Sequence, residues 1–242
     1  MARLAEPKDV PQIVALFLQA KAGSDREAAE KAIVLICQQA PNAQERAEPC
    51  LVVFRAAAPG TRIDLLPLLG RLGGAESKRA IVAALQSEDP GLYDAAVRAL
   101  SNWPDASIAE DLLKIAQSDS QEPHRLLAFR AFIRVVSTPG TPDAQRLAQL
   151  RRAMRLASRD EERNLILSRA AAVRTIDTLR FLVPYLDDPA LAGQACRSVA
   201  ELGRHKELRE PNRGEFMPAL KKVLATSHDA ATLELVRRNL AQ

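Results

Sequence analysis

The stretch AIVAALQSEDPGLYDAAVRALSNWP, residues 80–104, predicts two helices joined by a tight turn. Apolar residues recur at helical spacing before and after the turn, and an Asp-Pro pair interrupts them. Asp89 can accept hydrogen bonds from the free N–H groups at a helix start, and Pro90 suits the first helical position. Pro104 ends the second helix because a proline disfavours the helical conformation in the residue before it.

Each of these helices has only about three turns, too few for stability alone in water. They must therefore bury their apolar stripes against each other and against neighbouring helices. In the second helix this stripe consists of Leu92, Ala96, Ala99, Leu100 and Trp103. We predict Trp103 to lie in the core because it continues the stripe, and Tyr93 to lie on the flank that faces solvent.

The composition favours an all-α protein large enough to bury a sizeable core. The chain has 242 residues, of which 47% are hydrophobic but only 4% aromatic. Strand-type alternation of β-branched residues is missing. Because no apolar run approaches the ~18 residues of a membrane helix, we expect no membrane span. Residues 1–10 also lack the apolar core of a signal peptide, so the cytoplasm is the default location.

The opening unit recurs along the chain. DPGLYDAAVRAL at residues 89–100 aligns without a gap with DPALAGQACRSV at residues 188–199. The later copy therefore predicts a second helix that begins at Pro189. Polar loops at residues 138–143 and 205–214 interrupt the repetition. We predict a single domain, residues 1–242, of about seven antiparallel helix pairs, at approximately residues 9–40, 44–73, 76–103, 106–137, 143–173, 176–204 and 215–241.

An arginine recurs at a corresponding place in successive second helices, with Lys31 at a comparable place earlier in the chain. We call these residues the arginine column: Arg98, Arg130, Arg169, Arg197 and Arg237. They lie 32, 39, 28 and 40 residues apart, which is the period of a two-helix solenoid repeat. At 100° per residue, Arg98 points away from its apolar stripe and therefore toward solvent.

The repeated unit resembles HEAT repeats, in particular the bacterial, lyase-type HEAT-like repeats. In that family a first helix ends in Leu-Leu, an Asp-Pro turn follows, and the second helix has Val-Arg near its start and Ala-Leu-Gly at its end. Three segments carry this pattern, the last in part: ALQSEDPGLYDAAVRAL (84–100), YLDDPALAGQACRSVAELG (185–203) and LLPLLGRLGG (65–74). The resemblance implies a right-handed, armadillo-like α-solenoid whose second helices line a concave face.

The resemblance has two further implications. The family has an arginine just after the turn that knits adjacent repeats together, and only Arg125 retains it. Tyr93, Asn164 and Ala192 occupy that position elsewhere, so the polar contacts between repeats should differ from those of the family. Such repeats also occur appended to larger bacterial enzymes, which suggests that the chain is a segment of a bigger protein.

The charge is distributed unevenly along the chain. Residues 1–142 carry 16 basic and 17 acidic side chains, and residues 143–242 carry 18 and 13. The positive surface is therefore predicted to lie in the last three repeats, where further basic residues add to the column: Arg151, Arg152, Arg155, Lys221, Lys222 and Arg238. The alternative to a binding surface is that the arginine column is an ordinary solvated helix face. Asp94 could then pair with Arg98, and Glu201 with Arg197, at i,i+4 spacing.

Recognisable catalytic or metal-binding patterns are missing from the sequence. It contains no glycine-rich phosphate loop, no HExxH and no GxSxG. Its histidines are far apart, and its cysteines lack metal-type spacing. We therefore predict no catalytic residue, metal site or cofactor. Cys37, Cys50 and Cys196 are expected to be small buried hydrophobic residues in a reducing setting.

Three functions from different classes stay open. The preferred one is a non-enzymatic interaction scaffold, monomeric by default. Its concave face and inter-repeat loops would bind a protein partner or another domain of the same polypeptide. The second is nucleic-acid or polyanion binding through the arginine column, which would depend strongly on salt. The third, a HEAT-like lyase or glycosylase-type enzyme, is implied by the resemblance alone.

Overall fold

The computed structural model describes residues 9–21 and 23–241, and this part of the chain is helical and contains no β-strand. The helices pack in neighbouring pairs, which confirms the predicted all-α class and is consistent with a solenoid-like fold. The chain forms two compact units, one ending at Phe132 and the other beginning at Ile133. The single repeat domain stays a prediction. Most of the N-terminal segment tested for a signal peptide, residues 1–8, lies outside the described residues.

In its described residues, the first unit contains three complete helix pairs and part of a fourth. Its helices are α1 (Val10–Gln19), α2 (Ser24–Cys37), α3 (Ala43–Ala56), α4 (Pro59–Leu72), α5 (Ala75–Ala84), α6 (Pro90–Ser101) and α7 (Ala109–Ser118). The next helix, α8 (Glu122–Ser137), contributes to both units. Residues 80–104 thus form the end of α5, a turn and α6, as predicted.

The turn before α6 has the predicted capping chemistry. One carboxylate oxygen of Asp89 accepts hydrogen bonds from the N–H groups of Gly91 at 2.8 Å and Leu92 at 3.4 Å. Pro90 stands at the first helical position, where no N–H is needed. Trp103 is only 2% exposed, and its indole N–H donates to the hydroxyl of Ser107 at 3.0 Å. The prediction that Trp103 belongs to the core is confirmed.

Helices α4 and α6 approach each other closely at a glycine. Gly70 lies inside α4, and a Cβ atom on it would stand 2.1 Å from the main-chain oxygen of Ala99 in α6. Only a residue without a side chain permits this contact between the two backbones. Helix α4 also ends at a glycine, because Gly73 has φ +74° and directly follows Leu72.

The described residues of the second unit form three helix pairs and one short additional helix. Its helices are α9 (Asp143–Leu156), α10 (Asp160–Ala170), α11 (Ile176–Leu182), α12 (Ala192–Gly203), α13 (Lys206–Arg209), α14 (Arg213–Thr226) and α15 (Ala230–Ala241). Residues 183–187 form a 3₁₀ turn after α11. Helix α12 contacts α10, α11, α14 and α15 and is the centre of this unit.

Some boundaries in the second unit differ from the sequence prediction, and two of the differences have a clear physical cause. Helix α12 begins at Ala192, not at Pro189, because residues 188–191 form a turn in which the carboxylate of Asp188 accepts from the N–H of Ala190 at 3.0 Å. The predicted polar loop at residues 205–214 contains α13 and the start of α14. Arg209 fixes this segment, since its side chain is buried and donates to the main-chain oxygen of Gly203 at 3.0 Å.

The three cysteines are buried, which confirms their predicted place in the core. Cys37 at the end of α2 and Cys50 in α3 are hydrogen-bonded neighbours. The hydrogen bond with Cys37 and the burial of the site raise the pKa of the Cys50 thiol.

Among the residues that the structure describes, no helix combines the length and the apolar character that crossing a membrane requires.

Candidate functional site

All five arginines of the arginine column are exposed on second helices, which confirms their predicted orientation toward solvent. Arg98 on α6 and Arg130 on α8 belong to the first unit. Arg169 on α10, Arg197 on α12 and Arg237 on α15 belong to the second. The hydrogen-bond partners and neighbouring charges of the five arginines differ, so their capacities to bind a ligand also differ.

Arg98 is held by an ion pair on its own helix. Its Nε donates to a carboxylate oxygen of Asp94 at 2.8 Å, which confirms the predicted i,i+4 pair. This hydrogen bond, together with that from His124, lowers the pKa of Asp94. Arg98 is therefore part of a solvated ion pair whose charge is largely compensated.

Next to this pair, polar side chains connect α6 with the turn before α8 and the start of α8. We call Tyr93, Asp119 and His124 the polar joint. The Tyr93 hydroxyl donates to Asp119 Oδ2 at 2.6 Å, and the ring centroids of Tyr93 and His124 are 5.5 Å apart. His124 is buried, with Nε2 3.1 Å from Asp94 and Nδ1 3.4 Å from Asp119. Tyr93, predicted to lie on the flank that faces solvent, is half-buried, because this contact holds it between two repeats.

The joint shifts the pKa values of two of its members. Burial, and the hydrogen bond to Asp119, raise the pKa of Tyr93 to about 12. Burial alone would raise the pKa of Asp119, but the hydrogen bonds from Tyr93 and from the main chain of Gln121 lower it. Tyr93 occupies the position where an inter-repeat arginine was implied, and its hydroxyl makes the contact between repeats instead.

We expect Tyr93→Phe to lower the free energy of unfolding at pH 7 by about 1.5 kcal/mol, because a hydrogen bond to a charged acceptor is lost. The folded-state pKa of Tyr93, about 12, exceeds the unfolded value of about 10. Its contribution is therefore fully present below about pH 10 and is lost as the pH rises toward 12. The measurement is urea denaturation of both proteins at pH 7, 9 and 11.

The deficit of the variant should shrink between pH 9 and pH 11. A deficit that stays constant over this range would show that the hydroxyl does not form the hydrogen bond to Asp119. At the acid end, the lowered pKa of Asp119 means that its contribution is present above about pH 4 and is lost below it.

In the second unit, three consecutive second helices enclose an open groove of about 310 Å³. We call it the second-helix groove. It is lined by Ser168, Ala171, Gln194, Arg197, Ser198, Glu201, Asp229, Ala231, Thr232 and Leu235. These residues come from α10 and its end, from α12, and from α15 and the turn before it.

Side-chain hydrogen bonds position the floor of the groove. The hydroxyl of Ser198 donates to the main-chain oxygen of Leu167 in α10 at 2.9 Å and accepts from Gln194 at 3.1 Å. Nε and Nη2 of Arg197 donate to Oε1 of the same Gln194 at 3.3 and 3.1 Å. The predicted pair between Arg197 and Glu201 is wrong, because Glu201 accepts from Arg204 at 2.8 Å.

The turn before α15 contributes an acidic side chain to the groove. Asp229 accepts hydrogen bonds from the Thr232 hydroxyl at 2.6 Å and from the Thr232 N–H at 2.9 Å. These two bonds, with a smaller contribution from the charge of Arg197, lower the pKa of Asp229. The groove thus presents a guanidinium and a carboxylate together with the small apolar side chains of Ala171 and Ala231.

A second cavity in this unit, of about 500 Å³, is rich in arginine. It lies among the end of α8, the loop after it, the start of α9 and the end of α10. We call its four basic residues the arginine cluster: Arg134, Arg146, Arg169 and Arg174. Only Arg169 belongs to the arginine column. The others were missed because their convergence depends on how α8, α9 and α10 pack; the long loop at residues 138–143 was the only sequence signal.

Some of the further basic residues predicted for the positive surface have ion-pair or hydrogen-bond partners. Lys222 is 2.5 Å from Asp187, Arg238 is 3.7 Å from Glu234, and Arg151 donates to the main-chain oxygen of Asp177 at 3.1 Å. Arg155 on α9 is exposed. The excess of basic residues in residues 143–242 is therefore not a uniform positive surface.

Within the described residues, no three His, Cys, Asp or Glu side chains converge in the manner of a metal site. The chain matches no protein-family model, and no curated protein matches it. The candidate sites are therefore the second-helix groove and the arginine cluster, argued from their own chemistry.

Proposed function

We propose that the protein is a non-enzymatic interaction scaffold with a HEAT-like architecture, and that the second-helix groove binds a segment of a protein partner. The observation that carries this proposal is the groove itself, which adjacent second helices form in the second unit. A partner of this kind is either another protein or a neighbouring domain of the same polypeptide.

The chemistry of the groove suits a polypeptide better than a polyanion. Arg197 and Asp229 both line the groove, so it offers a donor for a carboxylate and an acceptor for a cation or a peptide N–H. Leu235 and the two alanines provide apolar contact area between them. A polyanion would be repelled by Asp229 and Glu201, and its affinity would depend on several uncompensated cations in a row.

The proposal predicts the effect of two substitutions in the groove. Peptides are first selected from a display library on the wild-type protein. They should bind both Arg197→Glu and Leu235→Glu at least tenfold more weakly. Arg197→Glu removes the guanidinium donor, and Leu235→Glu removes an apolar contact. Arg155→Glu is the matched control, since Arg155 is exposed on α9 and lines neither cavity. Fluorescence anisotropy at 0.15 M salt measures the three affinities.

Two results would contradict the proposal. The first is an equal loss of peptide affinity in Arg155→Glu and Arg197→Glu, because the loss would then come from the changed net charge and not from the groove. The second is tight binding of oligonucleotides that weakens steeply with salt, while no peptide binds. That second result would establish the alternative function, polyanion binding through the arginine column, because counterion release accompanies phosphate contacts.

A further inference from the structure

The arginine cluster carries more positive charge than its cavity compensates. In the described part of the chain, Arg169 and Arg174 are exposed and make no hydrogen bond or ion pair. Asp143 is the only carboxylate among the residues that line the cavity, and it is bonded to Arg146. A ligand that complements this site must therefore be an anion.

Arg146, which lines this cavity, has a buried donor without a partner. The residue is 8% exposed, Nη1 donates to the main-chain oxygen of Ser137 at 3.2 Å, and Nη2 donates to Asp143. Its Nε is buried and has no hydrogen-bond partner. An unsatisfied buried donor is destabilising by about 1–3 kcal/mol. An oxygen atom of a bound ligand would provide the missing acceptor.

Arg134 and Arg169 reinforce the argument because their charges interact. Burial, and the nearby charge of Arg169, lower the pKa of Arg134. An anion bound between α8 and α10 relieves this repulsion. Helix α9 adds to the attraction, since its N-terminus lies at the cavity and no side chain caps it.

We propose that the arginine cluster binds the dianionic group of a phosphate monoester. A phosphate monoester carries a charge near −2 and three acceptor oxygens. These match two guanidinium groups without partners and one unused N–H, and arginine forks are suited to phosphate oxygens. A carboxylate or a phosphodiester carries one charge only. The cavity is separate from the second-helix groove, so this proposal does not rest on the proposed function.

The test is isothermal titration calorimetry of the full chain with phenyl phosphate at constant ionic strength. Dimethyl phosphate and acetate serve as singly charged controls. We expect saturable binding of phenyl phosphate, and binding of both controls that is at least tenfold weaker. Arg169→Gln and Arg174→Gln should each weaken phenyl phosphate binding about tenfold, because each removes a charged donor. Arg155→Gln should leave it unchanged, and so should Arg197→Glu in the groove.

Three outcomes would overturn the assignment. One is the absence of saturable binding beyond that seen with sodium chloride. Another is an equal effect of Arg155→Gln and Arg169→Gln. The third is binding of dimethyl phosphate or a ten-residue oligothymidylate as tightly as phenyl phosphate, which would make the site a phosphodiester site. Thermal melting followed by circular dichroism checks that the variants fold, as expected for exposed side chains.

Discussion

Replacing Gly70 by alanine should destabilise the first unit by about 3 kcal/mol, although alanine is the better helix former. The new Cβ would stand 2.1 Å from the main-chain oxygen of Ala99 and 2.8 Å from its Cα. Main-chain atoms cannot move aside as a flexible side chain does, so α4 and α6 must separate. Their separation loosens the apolar contacts that the two helices share.

The same helix offers a matched control. Gly60 also lies in α4, and a Cβ atom on it would meet nothing within 4 Å. Gly60→Ala should therefore leave the stability unchanged or raise it by up to about 1 kcal/mol, through helix propensity and reduced freedom of the unfolded chain. Urea denaturation followed by Trp103 fluorescence measures both variants, because Trp103 is the only tryptophan and reports the first unit. Equal stabilities for the two variants would contradict the close approach of α4 and α6.

The second large effect is expected for Trp103→Ala. Trp103 is 2% exposed, and removing a buried aromatic side chain of this size lowers the free energy of unfolding by about 3–5 kcal/mol. Trp103→Phe keeps most of the apolar contact and loses the hydrogen bond to Ser107, so we expect a loss of about 1–2 kcal/mol.

Circular dichroism at 222 nm follows the unfolding of both Trp103 variants, because the fluorescent probe itself is removed. The alanine variant should unfold at a clearly lower urea concentration than the phenylalanine variant. A Trp103→Ala protein as stable as the wild type would show that this residue does not belong to the core of the first unit.

Much of the fold follows from local signals in the sequence. The Asp89-Pro90 turn predicts the start of α6 because its capping chemistry involves only neighbouring residues. The same argument failed at Asp188-Pro189, where the carboxylate closes a turn and α12 begins at Ala192. Local capping therefore identifies a turn more securely than it identifies the first residue of the following helix.

The missed helix α13 has a different cause. Its sequence is polar, and nothing in the helical periodicity of residues 205–214 favours a helix. The segment is ordered by Arg209, which is buried and bonded to Gly203 at the end of α12. Such a tertiary contact is decided by packing in three dimensions and has no local sequence pattern.

The candidate sites were predictable only in part. Helical phase predicts that Arg98, Arg169 and Arg197 face solvent, since this needs only 100° per residue. It does not predict which partner an exposed arginine chooses, and Arg197 bonds Gln194 while Glu201 bonds Arg204. The choice depends on side-chain geometry that sequence spacing leaves open. The arginine cluster was missed for a related reason, because it joins residues from three helices and a loop.

The central claim, that the second-helix groove binds a polypeptide, is tested most directly by hydrogen–deuterium exchange of the full chain with and without a selected peptide. Binding should slow exchange in α12 and in the first turns of α15, where Arg197, Asp229 and Thr232 line the groove. Slower exchange confined to α9, α11 and α14, with α12 and α15 unchanged, would contradict the claim.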